Sequence, residues 1–385
     1  MTYDIESDLS TLYIAPITTQ GVIWFGRGST IEEAQDRYDF DAVRLTTSMP
    51  TDIQHWLLAN HQKKVYVLRE SQNMKGLLPT SSKPDYDTES LLPALDACRV
   101  IKDPDEIDLM RRVIKVSLLA YRTVMHYITS MNSEAEVHAL YLDICIAYGA
   151  DWQAYPPIVA SGANASILHY TDNNESLKGK SLLCLDAGCE WGCYSSDITR
   201  TFPLVATGWP SKEVAEIYAI VEEMQERSIA MLGPGVRYLD AFYLADRIAM
   251  KGLLRLGILR RGNVDEILSA GRETNLELLQ RSDAALLEPG MVITVEPGIY
   301  FSQYALERVY LPNPEIASFI DEEVLKRYLH VGGVRIEDDI LITKDGYENL
   351  TLTPKGKEML DIIRDGAECH HGIECRFRLD AKRQC

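Results

Sequence analysis

Residues 182–204 read LLCLDAGCEWGCYSSDITRTFPL. Two apolar, β-prone runs flank a tip of small residues, a pattern that predicts a β-hairpin. A two-residue loop at Trp191-Gly192 pairs Asp186 with Asp197 on one side of the sheet. Directly paired side chains have Cβ atoms about 4.5–5.5 Å apart, and two carboxylates that close repel unless a cation lies between them. The hairpin therefore predicts a site for one or two divalent cations, unless another register leaves both aspartates in loops.

The composition is that of an ordinary globular protein with a strong acidic excess. The 385 residues include 57 acidic and 39 basic side chains, a formal net charge of −18. This balance disfavours nucleic acids and anionic membranes as partners and suits a protein that binds metal cations. No apolar run is long enough to span a bilayer, the polar start MTYDIESDLS is not a signal peptide, and eight scattered cysteines indicate reduced thiols. A cytoplasmic location is expected.

Three regions are predicted along the chain. Residues 1–98 alternate strand-like and helix-like segments, which indicates a small α/β domain. Residues 99–365 form the main domain, and residues 366–385 are expected to be a flexible tail. The tail's cysteines and histidines match no standard zinc spacing.

Helix signals in the main domain occur twice in the same order. Asp103, Pro104 and Glu106 form a capping box with proline at the first helical position, and Ser133 opens a second helix. Ser211 and Leu239 begin another pair of helices. Strands follow each pair, so the element order predicts two related halves around one sheet.

Two further acidic residues lie in β-like runs. Glu296 lies in VITVEPGIYF at 292–301, on one face with Val292 and Thr294. Glu337 lies in GGVRIEDDILIT at 332–343, where Arg335, Glu337 and Asp339 share one face. A glutamate within an apolar strand is costly unless it is paired. A solvent-facing strand edge or an ion pair with Arg335 would account for either glutamate alone. Four carboxylates together favour Mn²⁺ or Mg²⁺, and two metals about 3.5–4 Å apart can activate water and polarise a scissile carbonyl.

Four strings in this order, the hairpin, ASGANASILHY (160–170), VITVEPGIYF and VGGVRIEDDILIT (331–343), resemble the pita-bread metallopeptidases of family M24B. The likeness is strongest to the prolidase and Xaa-Pro aminopeptidase branch, and within it to fungal probable Xaa-Pro aminopeptidases. It covers residues 99–362 strongly and the first domain more weakly. It implies an α+β fold, with a pita-bread catalytic domain preceded by a small α/β domain that is shorter than in the family.

The resemblance also implies a site and an activity. Asp186, Asp197, Glu296 and Glu337 match metal ligands, usually of two Mn²⁺ per subunit. His169 matches a histidine that contacts substrate and stabilises the oxyanion, and Arg335 matches an arginine that supports the glutamate and the substrate's carboxylate end. The implied reaction is hydrolysis of the bond before a proline in peptides. The family often dimerises, so a homodimer is a further expectation.

The chain departs from the family at one place. Family members carry a His-Gly-Leu-Gly-His type motif between the second aspartate and the first glutamate, and one of its histidines ligates a metal. Here no histidine occurs between His169 and His330, and VDEILSAG (264–271) runs directly into RETNLELLQRSD (272–283). His330 is not at the matching position. A metal site without this nitrogen ligand would lose both positioning and charge stabilisation.

Three functions therefore stand as hypotheses. The first is a manganese-dependent Xaa-Pro aminopeptidase, with Xaa-Pro dipeptidase as the variant that the pocket walls decide. The second is a catalytically impaired pita-bread protein that binds peptides or partner proteins. The third is an amidinohydrolase on the same fold. The retained carboxylates count against the third, since that branch of the fold works without metals.

Overall fold

The computed structural model describes residues 1–60, 63–69, 86–260, 262–272 and 286–370. Contacts divide the chain into two compact units between Arg99 and Val100. The elements of the first unit are β1 (Thr2–Asp4), β2 (Leu9–Ile14), α1 (Thr19–Phe25), α2 (Ile31–Arg37), β3 (Ala42–Leu45), α3 (Met49–Ala59), β4 (Val65–Tyr66), β5 (Tyr86–Asp87) and α4 (Leu91–Val100). Strand β2 pairs with β1 in antiparallel and with β3 in parallel orientation, and β4 and β5 form a separate parallel pair.

The second unit begins with two helices and a first set of strands. The capping box of Asp103 and Glu106 is formed as the sequence predicts, and Ser133 caps the next helix through the Glu136 N–H. The elements are α5 (Pro104–Tyr127), α6 (Glu134–Ala147), β6 (Trp152–Gln153), β7 (Ile158–Ser161), β8 (Leu182–Asp186), β9 (Cys189–Trp191), β10 (Tyr194–Ser195) and β11 (Thr199–Pro203). A 3₁₀ turn at 162–166 follows β7.

The same order of helices and strands then recurs. Ser211 caps the first of these helices, as expected. The elements are α7 (Lys212–Ala230), α8 (Tyr238–Arg255), α9 (Val264–Arg272), β12 (Val292–Val295), β13 (Gly298–Tyr300), α10 (Gln303–Ala305), α11 (Pro314–Phe319), α12 (Glu322–Tyr328), β14 (Gly333–Arg335), β15 (Asp338–Thr343), β16 (Gly346–Asn349) and α13 (Gly356–His370). Helix α13 extends five residues into the segment predicted as a tail, and residues 371–385 lie outside the described residues.

The hairpin at 182–204 is present, but its predicted register is wrong. The turn is Gly192-Cys193, with φ values of 59° and 68° that fit a type I′ turn, and Asp186 is opposite Thr199 rather than Asp197. The true register differs from the predicted one by two residues. Because side chains alternate with period two, that shift keeps Asp186 and Asp197 on the same face.

This hairpin is interrupted where its aspartates lie. Strands β8 and β11 pair up to Asp186, and β9 and β10 resume the same register from Cys189. Gly188 lies in the interruption, where a Cβ would be 1.7 Å from the Ser196 carbonyl oxygen. Only glycine permits this close approach of the two chains. The buried hydroxyl of Tyr121 fills the gap by accepting the Ala187 N–H at 3.1 Å.

The second half repeats this construction. Strands β12 and β15 share one register with β13 and β14, and the break between them falls at Glu296-Pro297 opposite Ile336-Glu337. Pro297 has no N–H to give to the ladder, which explains an interruption at this point. The two halves meet where Glu337 donates its N–H to the Thr199 carbonyl oxygen at 3.0 Å. Both breaks therefore lie beside one another in the core.

Candidate active site

Three of the four predicted metal ligands converge at the paired breaks. Asp186, Asp197 and Glu337 each offer a carboxylate oxygen within 4.8 Å of the others. Asp186 ends β8, whereas Asp197 and Glu337 lie in the interruptions of the two hairpins. Glu337 is 1% exposed and Asp186 is 7% exposed. The structure thus brings acidic side chains from both halves into one largely buried cluster, here called the carboxylate cluster.

Glu296 lies at the rim of the carboxylate cluster. It follows β12 directly and its side chain is exposed, and Thr294 Oγ1 contacts its Oε1 at 3.5 Å. Desolvation and the charge of Asp197 raise the pKa of the Glu296 carboxyl. Glu296 is not one of the three residues whose carboxylate oxygens lie within 4.8 Å of one another.

Arg335 is the cationic member of the site. It is 4% exposed and its Nη2 donates to Asp186 Oδ2 at 2.5 Å. Its Nη1 donates to the hydroxyl of Tyr300 at 3.0 Å, and its Nε donates to Thr199 Oγ1 at 3.2 Å. The sequence left open an ion pair between Arg335 and a neighbouring glutamate, but the structure pairs Arg335 with Asp186.

Tyr155 is a member of the site that the sequence did not identify. Its hydroxyl lies 2.6 Å from Asp186 Oδ1 and 2.5 Å from Asp197 Oδ1. A phenol has one proton, so it can donate to only one of the two carboxylates at a time. The only sequence signal was an aromatic residue before Pro156-Pro157, which does not reveal a contact with aspartates about thirty to forty residues further along.

Mutual repulsion and burial dominate the electrostatics. Burial, followed by the charges of Asp197 and Asp186, raises the pKa of the Glu337 carboxyl well above its usual range. Burial and the charge of Asp186 also raise the pKa of Asp197. Each of these carboxyls resists ionising beside the others, which is the condition that a bound cation relieves.

Two neighbours of Glu337 complete the surroundings. Asp339 shares its face, as the sequence predicts, and accepts the Asp197 N–H at 3.2 Å. Asp338 points the other way and forms a fully buried ion pair with Arg200 at 2.7 Å. Arg200 also donates to the Glu337 carbonyl oxygen at 2.7 Å. The sequence did not predict this pair.

His169 takes part in none of these contacts and lies on an exposed turn after the 3₁₀ segment that follows β7. The next residue, Tyr170, is buried and donates its hydroxyl to Glu134 at 2.9 Å. This hydrogen bond anchors the loop to the start of α6. His330 lies near the surface, where its Nε2 is 3.1 Å from Ser211 Oγ.

The carboxylate cluster has the properties of a divalent-cation site. Its oxygens come from two chain segments, the pKa values of two members are raised by the others, and the buried Glu337 Oε1 has no hydrogen-bond partner among the described residues. An all-oxygen donor set suits hard cations such as Mn²⁺ and Mg²⁺. The residues present therefore fit a metal of this class.

Comparison with known proteins agrees with this geometry. Residues 108–344 match the model of metallopeptidase family M24, and the chain belongs to this family. Its pita-bread fold is that of *Escherichia coli* aminopeptidase P, whose substrate complex superposes with a TM-score of 0.76 at 28% identity, over 94% of this chain and 83% of that chain. The aminopeptidase PepP of Pseudomonas aeruginosa gives a TM-score of 0.73 at 26% identity, over 93% of this chain and 83% of that chain.

Within the family, the chain is similar to fungal proteins named probable Xaa-Pro aminopeptidase. The relative from *Aspergillus clavatus* is 45% identical over 410 residues, covering 96% of this chain and 82% of the relative. A relative from Pyrenophora teres f. teres is 45% identical over 416 residues. That alignment covers 94% of this chain but only 45% of the relative's length. A relative from Pyrenophora tritici-repentis is also 45% identical, and this chain covers 63% of its length. These alignments are longer than the 385-residue chain, so the relatives contain residues with no counterpart here. The predicted family and branch are confirmed.

Proposed function

We propose that this chain is a metal-dependent exopeptidase that removes the N-terminal residue from peptides with proline in the second position. The observation that carries the proposal is the convergence of Asp186, Asp197 and Glu337 within 4.8 Å, around a buried Glu337 oxygen that lacks a partner in the described structure. The names of the fungal relatives and the structural similarity to aminopeptidase P support it.

The cation would be held among the four carboxylates, and Mn²⁺ is the proposed ion. When bound, it supplies Lewis acidity for the scissile carbonyl and lowers the pKa of an attacking water. The resemblance implies two such ions, but the chain has no histidine between His169 and His330 to serve as a nitrogen ligand. Proline-containing peptides are the proposed substrates. A homodimer and a cytoplasmic location stay predictions. Within the described residues, no helix is long and apolar enough to cross a membrane.

The chain's own residues have distinct roles in this proposal. Glu296 or Glu337 would accept a proton from water and pass it to the departing amine. Arg335 fixes Asp186 through the 2.5 Å ion pair and brings a permanent positive charge next to the cluster. His169 would donate a hydrogen bond to the developing oxyanion.

The test is activity of the purified full chain with added Mn²⁺ on an Xaa-Pro dipeptide and on an Xaa-Pro-Xaa tripeptide. We expect release of the first residue, with the tripeptide preferred. Glu337→Gln should abolish turnover, whereas Glu190→Gln, a partly buried change in β9 of the same hairpin, should leave it unchanged. Preference for the dipeptide would make the enzyme an Xaa-Pro dipeptidase. If neither substrate is turned over, the proposal is refuted.

One observation favours a second candidate function. Because the metal-ligand histidine of the family is absent from the sequence, a pita-bread protein that binds proline-containing peptides without cleaving them is the alternative. Titration calorimetry with the same tripeptide distinguishes the two. Binding with the peptide recovered intact supports the binding module, and binding followed by release of the first residue supports the peptidase.

A further inference from the structure

Thr199 lies at the point where the two hairpins of the second unit meet. It is completely buried in β11, and it is the residue directly opposite Asp186 in the ladder between β8 and β11. Its carbonyl oxygen accepts the Glu337 N–H at 3.0 Å, which joins the first hairpin to the second. One buried, uncharged residue therefore adjoins acidic residues of the carboxylate cluster from both halves.

The hydroxyl of Thr199 connects two charged side chains. Its Oγ1 donates to Glu337 Oε2 at 2.7 Å and accepts from Arg335 Nε at 3.2 Å. A guanidinium can only donate and a hydroxyl has one proton, so the bond from Arg335 leaves the hydroxyl proton for Glu337. The two hydrogen bonds therefore run in one direction, from Arg335 through Thr199 to Glu337.

Thr199 holds Glu337 by both its main chain and its side chain. The backbone bond fixes the position of Glu337 in the chain, and the hydroxyl fixes the orientation of its carboxylate. The other oxygen, Oε1, is buried without a hydrogen-bond partner among the described residues. A carboxylate oxygen has two lone pairs, so Oε2 can accept from Thr199 and still bind a cation. Because threonine is β-branched, rotation about its χ1 is restricted, which keeps the hydroxyl in place.

From these contacts we infer that Thr199 is a positioning residue of the metal site. Its hydroxyl orients the Glu337 carboxylate and links it to Arg335, so that the carboxylate cluster is arranged for a divalent cation before the cation binds. The inference rests on the proposed metallopeptidase function and deepens it. It gives Thr199 no role as a metal ligand, and it holds whether the cluster binds one ion or two.

The test measures Mn²⁺ affinity by titration calorimetry on the full chain after removal of metal with a chelator. Thr199→Val keeps the shape and removes the hydroxyl, and it should weaken Mn²⁺ binding by about 10–100-fold, as loss of a partner behind a metal ligand typically does. Thr199→Ser keeps the hydroxyl and removes the methyl group, and it should bind Mn²⁺ far more tightly than Thr199→Val. Circular dichroism confirms that each variant is folded. Thr199→Ala, which also lacks the hydroxyl, replaces the valine variant if that variant does not fold.

Thr353→Val is the matched control. Thr353 is also buried, but its Oγ1 has no hydrogen-bond partner in the part of the chain that the structure describes, so this variant should keep the affinity of the unmodified chain. Unchanged affinity in Thr199→Val, or a loss in Thr199→Ser as large as that in Thr199→Val, would overturn the inference. The expected order of affinities without peptide turnover would refute the proposed activity alone, and no Mn²⁺ binding by the unmodified chain would refute both.

Discussion

Replacing Glu134 by glutamine tests how the loop that carries His169 is held. Glu134 is the first residue of α6, and its side chain is completely buried. Its Oε1 accepts from the Ser161 N–H at 2.9 Å, from Ser161 Oγ at 2.7 Å and from Asn164 Nδ2 at 3.1 Å. Its Oε2 accepts from the Tyr170 hydroxyl at 2.9 Å and the Glu175 N–H at 3.0 Å. One carboxylate thus organises residues 161–175.

Glutamine has the same shape but only one accepting oxygen. With that oxygen in the place of Oε1, three hydrogen bonds survive, and the amide NH₂ faces the Tyr170 hydroxyl and the Glu175 N–H. The Tyr170 hydroxyl can rotate and accept a hydrogen bond from the amide, but the Glu175 N–H then faces another donor. A hydrogen bond to a charged group contributes about 1.5–3 kcal/mol, so loss of the bond from the Glu175 N–H, together with the loss of the charged acceptor for the bonds that survive, should lower the free energy of unfolding by about 2–4 kcal/mol.

Urea denaturation followed by circular dichroism measures this change. The matched control is Glu136→Gln, two residues along the same helix, because Glu136 is exposed and accepts mainly from the Asn132 N–H at 2.9 Å, a bond that glutamine can keep. The control should change the free energy of unfolding by less than about 0.5 kcal/mol, as surface substitutions usually do. Equal effects of the two variants would refute the role assigned to Glu134.

The effect should also depend on pH. Burial acts to raise the pKa of the Glu134 carboxyl, but the hydrogen bonds from Ser161, Glu175 and Asn164 outweigh it, and the net pKa is lowered from its ordinary 4.5. A lowered carboxyl pKa stabilises the folded state above the unfolded value, and this stabilisation is lost as pH falls through the folded value. The difference between the unmodified chain and Glu134→Gln should therefore be largest near neutral pH and shrink below pH 4.5. A constant difference across this range would contradict the argument.

Further variants test the breaks in the hairpins and the buried ion pair of Arg200 with Asp338. Gly188→Ala places a Cβ 1.7 Å from the Ser196 carbonyl oxygen and should lower the free energy of unfolding by more than about 3 kcal/mol, or abolish soluble expression. Tyr121→Phe removes the buried hydroxyl that fills the gap and should cost about 1–3 kcal/mol in urea denaturation. Asp338→Leu should cost about 3–5 kcal/mol, because it leaves the buried Arg200 without its ion-pair partner, and the double variant with Arg200→Met should be more stable than Asp338→Leu alone in thermal denaturation. In Arg200→Met alone, Asp338 keeps its ion pair with Lys355 at 3.4 Å.

Local sequence signals predicted the helices of the second unit well. The capping box at Asp103 and the caps at Ser133 and Ser211 form as expected, because a cap depends on residues three or four positions apart. The predicted strands at 291–296 and 334–343 are also present, but each is shorter or interrupted. The interruptions depend on Gly188 and Pro297 facing a particular partner strand, which a local pattern does not specify.

The acidic members of the site could be predicted, and their partners could not. Alternation along strands placed Arg335, Glu337 and Asp339 on one face, and the structure agrees. The predicted register of the first hairpin is wrong by two residues, but a shift of two keeps Asp186 and Asp197 on the same face of the sheet. Contacts such as that of Tyr155 with both aspartates, or of Arg200 with Asp338, join residues from separate elements and leave no periodic signal.

The run Glu337-Asp338-Asp339 shows most clearly what position in a strand adds to residue type. Glu337 and Asp339 point toward the carboxylate cluster, where burial and neighbouring negative charge raise both pKa values well above the usual range. Asp338, between them, points to the other face, where burial again acts to raise its pKa but Arg200 and Lys355 outweigh it and the net pKa is lowered. Asp338 is therefore held ionised by cations of the protein itself, whereas neither Glu337 nor Asp339 forms an ion pair with any residue that the structure describes. Because adjacent side chains project to opposite faces of a strand, a single acidic run supplies both the ion pair that fixes the backbone of Glu337 and the carboxylate that remains available to bind a metal.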